Sequence, residues 1–172
     1  LSKSKNREFL KPIYKILMLQ KKLYYQLVLF LVFSLFSCAP SFAEMLSVDG
    51  DSVNLRSGPG TNYDVRWEYG KGFPLKVISK EGDWVKVSDF EDDSGWIYRP
   101  LLVDKGHMIV KMNKDKNSKI NIRSGPGVNY KIVGKAYYGV VFETVEQRDG
   151  WVKVKHETGL VGWIKRTLIW GF

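Results

Sequence analysis

The chain has 172 residues, 44% of them hydrophobic and 14% aromatic, with a formal net charge of +9. One cysteine excludes an internal disulfide, so stability must come from packing, which the many Trp, Tyr and Phe can supply. The basic excess is no phosphate-binding field and excludes a nucleic-acid partner: residues 1–43 hold seven Lys or Arg against one Glu, which leaves only +3 for the rest.

The N-terminal stretch reads as a leader. LVLFLVFSLF at residues 27–36 is an unbroken apolar run behind Lys21 and Lys22, and small residues ending PSFA follow at residues 40–43. That is the order of a secretory signal peptide, and the run is shorter than the ~20 apolar residues that a spanning helix needs. The expected leader is 1–43, cut after Ala43; Met18 would open a more ordinary one, with residues 1–17 an over-extended start. LFSC at residues 35–38 half-resembles a lipoprotein box in which Cys38 would carry lipid, although Phe36 is bulky for it. The expectation is an exported protein of the periplasm or cell envelope, secreted if the cell is Gram-positive, with membrane contact only through the leader or such an anchor.

Beyond the leader the hydrophobic period is two. MLSV (residues 45–48) opens the series, and SVNLRS (52–57) sets Val53 and Leu55 against Asn54 and Arg56. PLKVIS (74–79) pairs Leu75 with Val77, DWVKVS (83–88) sets Val85 and Val87 against Trp84 and Lys86, and GWIY (95–98) is a further short strand. Turn residues fill the gaps: KEGD at residues 80–83 and EDDS at 91–94. Short alternating strands between turns predict an antiparallel all-β barrel or sandwich, with no helical periodicity.

The series then repeats. RSGPG at residues 56–60 returns at 123–127, and the same offset of 67 carries Asn54 onto Asn121, Tyr63 onto Tyr130 and Gly72 onto Gly139. WVKV at 84–87 returns at 151–154, GWI at 95–97 at 162–164, and Leu101 becomes Leu168. A period of this length is beyond the roughly 20–50 residues of solenoid units and suits two small domains, residues 44–103 and 104–172. HMIVKM (107–112) would open the second as MLSV opens the first, and VDKG (103–106) is too short for a free linker.

The order N-hydrophobic-R-S-G-P-G, N-Y, G-x-W-x-K-V (G-W-V-K-V in the second copy), G-W-I and a closing Leu, kept in both copies, resembles the bacterial SH3-like domain. The resemblance implies two tandem five- to six-stranded barrels and a binding role, since such domains commonly sit beside cell-wall hydrolases and target them to peptidoglycan. The closing LIWGF (168–172) is similar to the end of short exported proteins made of two such domains. The expected partners are therefore cell-wall peptides or an envelope protein. The alternatives are a structural or assembly protein of the envelope, and an accessory subunit of a separate hydrolase.

A wall peptide carries carboxylates on an extended backbone, so a binder needs a cation beside flat apolar surfaces. The candidates are Arg56, Tyr63, Trp67, Trp84 and Trp96 in the first copy, and Arg123, Tyr130, Trp151 and Trp163 in the second. Each has a structural alternative: the Arg stems packing on the barrel, the Trp rings closing it, and Gly and Pro alone setting the turn through backbone angles that other residues avoid. Asp64 becomes Lys131 and Trp67 becomes Gly134, so the copies should differ and the first should bind better.

No chemistry of catalysis is apparent in these residues. His107 and His156 are not repeated, since position 89 holds Asp89, and read as surface or filler residues; no metal or cofactor is expected. Cys38 would be lost with the leader, or lipidated, and Ser57 and Ser124 sit in turns without a repeated base. The expectation is a non-enzyme. EDD at residues 91–93 reads as a solvated hairpin tip rather than a calcium clip, and the lysines from Lys111 to Lys119 as a solvated loop.

Overall fold

A computed structural model of the chain describes residues 15–28, 43–114 and 118–172. The chain divides into Leu1–Phe42 and a compact unit, Ala43–Phe172. In the first, residues 15–28 form an α-helix exposed along its length. No helix among the described residues is long and apolar enough to cross a membrane. Cys38, most of the apolar run (residues 29–36) and residues 40–42 of the cleavage segment lie outside the described residues.

The second unit is all-β and holds two antiparallel sheets. The first is built from β1 (Met45–Val48), β2 (Val53–Arg56), β3 (Val65–Tyr69), β4 (Pro74–Glu81), β5 (Trp84–Ser88), β6 (Ser94–Tyr98) and β7 (Leu102–Val103). The second repeats it with β8 (His107–Val110), β9 (Ile120–Arg123), β10 (Ile132–Ala136), β11 (Val141–Arg148), β12 (Trp151–Lys155), β13 (Val161–Lys165) and β14 (Ile169–Gly171). The strand orders are β3-β2-β6-β5-β4-β1-β7 and β10-β9-β13-β12-β11-β8-β14. A one-turn 3-10 helix, Arg99–Leu101 or Arg166–Leu168, precedes the last strand of each.

Each sheet wraps one core. Val53 and Leu55 of β2, Tyr69 of β3, Leu75 of β4, Val85 and Val87 of β5 and Ile97 of β6 meet in a single cluster, which a flat sheet could not assemble. Ile120, Ile122, Ala136, Phe142, Val152, Val154 and Ile164 meet likewise in the second. The expected barrel is nevertheless corrected: seven strands form each sheet, and no pairing joins its two edges. Closure is weak where the sheet turns hardest, because β2 meets β6 through one register pair, Arg56 opposite Trp96. Gly95 makes that crossing possible, since a Cβ there would lie 2.6 Å from the Arg56 carbonyl oxygen.

Bulges recur at equivalent places. Register slips between Val77 and Ser79 against β5, and between Thr144 and Glu146 against β12. The extra residues, Ile78 and Val145, are turned outward and stand 50% and 52% exposed.

Every strand obeys the 67-residue offset except the opening pair, where β8 starts five residues early. The loop after β8 (residues 111–119) is correspondingly longer than the loop after β1 (49–52), and it reaches the first copy. Lys114 donates to the Glu91 carboxylate, which also accepts from the Tyr138 hydroxyl. Phe90 packs its ring 5.4 Å from that of Tyr138 and 6.4 Å from that of Trp170. The EDD tip and the lysine loop, expected to be solvated, thus join the two copies. Between them, the Lys105 carbonyl accepts from the buried Ser47 hydroxyl at 2.7 Å and from His107 Nδ1 at 3.1 Å.

Candidate functional site

Antiparallel partners share a face, so the register sorts the candidate residues. Arg56, Trp96 and Lys86 lie in one row across β2, β6 and β5, and Trp84 and Tyr98 form the adjacent row. All belong to the outer face, opposite Leu55, Val85 and Ile97. Trp67 stands opposite Leu55, on the other face, where β3 runs past the end of the core and leaves it 60% exposed. The structure therefore gathers Arg56, Trp84 and Trp96 and leaves Trp67 apart.

The RSGPG turn borders this face. Arg56 donates through Nη1 to the carbonyls of Thr61 at 3.2 Å and Tyr63 at 2.9 Å, which holds the loop against β2. Arg123 holds its loop the same way, through Tyr130 O at 2.9 Å. The Tyr63 ring lies flat on the turn: a Cβ on Gly58 would overlap it, and one on Gly60 would come within 3.3 Å. Tyr130 covers Gly125 and Gly127 in the same manner. None of these four glycines has a positive φ, which corrects the expected reason for them. They are small so that an aromatic ring can rest on the backbone.

Between the turn and β5 opens a cleft of about 540 Å³ whose walls include Asn54, Arg56, Thr61, Trp84, Tyr98 and Leu101. The Trp84 and Tyr98 rings meet at 5.7 Å with a 54° tilt, giving the cleft an aromatic side. No acidic residue lines it, and Arg56 pairs with no carboxylate among the described residues. The cleft therefore offers a full positive charge, amide donors and two rings. Tyr98 and Leu101 were not among the sequence candidates. The strand pairing that sets Tyr98 beside Trp84 is the signal that finds the former.

The second copy keeps Arg123 and Trp151 but differs elsewhere. Lys165 replaces Tyr98 and Val128 replaces Thr61. Trp163 is only 7% exposed, whereas its counterpart Trp96 is partly open, so Trp163 has no face to offer a ligand. At Gly134, the counterpart of Trp67, the Leu160 side chain occupies the space that a Cβ would need. Among the described residues, no three His, Cys, Asp or Glu side chains converge as metal ligands would.

A family model described as bacterial SH3 domain matches the chain twice, over residues 49–104 and 116–171. The chain is 25% identical over 155 residues to the putative N-acetylmuramoyl-L-alanine amidase YrvJ of Bacillus subtilis, covering 83% of this chain and 30% of that protein. Similar solved structures include a NlpC/P60 family protein from Bacillus cereus, 14% identical, covering 74% of this chain and 56% of the other at a TM-score of 0.34. Another is the endolysin LysPBC5 CBD, 20% identical, covering 76% and 95% at a TM-score of 0.31. The amidase corrects one expectation. The chain spans under a third of a relative that is itself a putative enzyme, so the want of catalytic residues in this stretch does not make the protein a non-enzyme.

Proposed function

The chain belongs to the bacterial SH3 domain family, and from that premise we propose that it is a cell-wall-binding module whose first copy receives an extended, carboxylate-bearing wall peptide. The observation that carries this reading is the acid-free cleft with Arg56 at one wall and the Trp84–Tyr98 pair at another. A carboxylate would meet a guanidinium that pairs with no acid among the described residues, and the peptide backbone would lie along the rings and meet Asn54 and Asn62. The similarity to a putative N-acetylmuramoyl-L-alanine amidase, of which the chain spans 30%, supports a ligand in the wall. The leader-like N-terminal segment supports a place outside the cytoplasm. A second reading, docking of an envelope protein, rests on the same cleft, because aromatic grooves also take extended protein segments.

Co-sedimentation of the purified chain with isolated peptidoglycan sacculi tests the proposal. Wild type is expected to pellet with the sacculi. Tyr98→Ala, at a half-open position, should weaken binding by about tenfold, the usual loss for an interface aromatic worth more than 1 kcal/mol. Tyr137→Ala, an exposed ring of the second copy, should leave binding unchanged. If wild type stays in the supernatant, the wall reading falls and the envelope-protein reading takes its place. If Tyr98→Ala binds as wild type does, the cleft is the wrong site.

A further inference from the structure

Both histidines of the chain, 49 residues apart, border a single cleft of about 510 Å³ where the two copies meet. Lys71 and Gly72 come from the first copy, Lys105 from the connector, and His107, Lys155 and His156 from the second. It shares no lining residue with the aromatic cleft. The walls pack closely. Gly72, at φ +76°, leaves no room for a Cβ, which would lie 2.9 Å from His107 Cδ2. The connector is tied to both sides through the Lys105 carbonyl.

The charges are uneven. Lys105 pairs with Glu143 at 3.2 Å, while Lys71 and Lys155 pair with no carboxylate among the described residues, and Glu157 is the one other acid in the lining. The histidines add hydrogen-bonding character. The Lys105 carbonyl can only accept, so His107 carries its proton on Nδ1. The Thr158 backbone N–H can only donate, so His156 Nδ1 accepts from it, at 3.3 Å. Burial, the largest influence on His107, holds its pKa below the ordinary imidazole value, so near neutrality it adds no charge. The unpaired charge belongs to the two lysines.

We infer that this inter-copy cleft is a second ligand site, which takes a small oxyanion, a carboxylate or phosphate group, between Lys71 and Lys155. Ammonium groups act as point charges and do not demand the planar fork that Arg supplies, so either oxyanion fits. The site exists only in the paired molecule, because neither copy alone holds both lysines.

Histidine-ring NMR of the whole chain, titrated separately with inorganic phosphate and with N-acetylalanine, reads the site directly. The expected result is a saturable shift of the His107 and His156 ring signals with at least one probe. Its affinity should fall about tenfold or more in Lys71→Gln/Lys155→Gln, as loss of charge-assisted contacts requires. Lys76→Gln, on an exposed strand position elsewhere, should leave it unchanged. Absence of a saturable shift with both probes overturns the inference, as does an equal loss in Lys76→Gln, which would mark general charge screening. Sacculus binding of the double variant is expected to match wild type, so failure here is distinct from failure of the wall-binding reading.

Discussion

At the residue scale, the ring of Tyr63 and the missing side chain of Gly58 are one device. The ring covers the turn, and the Tyr63 carbonyl beneath it holds Arg56 at 2.9 Å. Gly58→Ala should destabilise the chain by about 1–3 kcal/mol, as overpacking does, because the new methyl and the ring claim the same space. The cause is separable by a second background: in Tyr63→Ala, the same glycine change should cost almost nothing. An equal fall in Tm in both backgrounds would return the explanation to backbone angle. The sequence shows the turn plainly, since its letters repeat, yet not this reason, because an Asn-Tyr pair that follows a turn does not announce that its ring folds back. His156 was hidden in a similar way. Its Nδ1 accepts from Thr158 N at 3.3 Å, as Asp89 Oδ1 accepts from Glu91 N at 2.9 Å one copy earlier. The two side chains share a role and not a residue type. Asp89 also takes the Tyr69 hydroxyl at 2.9 Å; burial first, and then this bond, push the Tyr69 pKa up. Ala136 stands where Tyr69 does, and Phe142 packs on His156 instead. A further prediction concerns Thr144, whose buried hydroxyl has no partner among the described residues, while Val77 fills the same place in the first copy. Leaving such a group unpaired costs about 1–3 kcal/mol, so Thr144→Val should stabilise by ~1 kcal/mol and raise Tm by several degrees. A fall in Tm would show that the hydroxyl is satisfied after all.

At the scale of elements, period-two alternation marks most strands because one face of each packs on a core. It fails at the bulges. PLKVIS alternates as read through Ile78, which is outward, but the extra residue leaves Ser79 on the outer face as well, opposite Lys86, and Glu146 repeats the slip opposite Lys153. Pairing order is a second blind spot. Trp67 alternates correctly along β3, yet only its register with Leu55 shows that it faces away from Arg56 and Trp84. Tyr98 joins the site for the converse reason: it stands opposite Trp84 on the neighbouring strand, a relation that one strand's sequence cannot carry. Barrel closure was also overread. Local pattern specifies strands and turns, whereas closure needs the outermost strands to meet, and β7 offers two residues to do it.

At the scale of the molecule, the two copies are joined by polar groups whose protonation sets the strength of the joint. Glu91 accepts from Lys114 first and Tyr138 second, and both contacts hold its pKa below the ordinary carboxylate value of 4.5. A carboxylate depressed on folding stabilises the folded state above its unfolded pKa and loses that contribution as pH falls through the folded one. Tyr138 is shifted the other way: burial, followed by the Glu91 bond, pushes its pKa above 10.0, so it remains a donor throughout the neutral range. The joint is therefore complete from just above pH 4.5 to about pH 10, and acid weakens it first through Glu91. Phe90, packed on Tyr138 and Trp170, is not titratable and should keep the copies in contact while the polar part lets go. Glu91→Gln removes the charge at every pH. Thermal unfolding should show this variant below wild type at neutral pH, with the gap narrowing once the pH falls below 4.5 and closing as it passes through the depressed pKa of Glu91 in the folded chain, where both chains carry a neutral group. Added salt should shrink the neutral gap, since Lys114 is open to solvent. A gap that stays constant throughout acid titration would mean that the amide fails for reasons of shape, and that the charge of Glu91 does not hold the copies together.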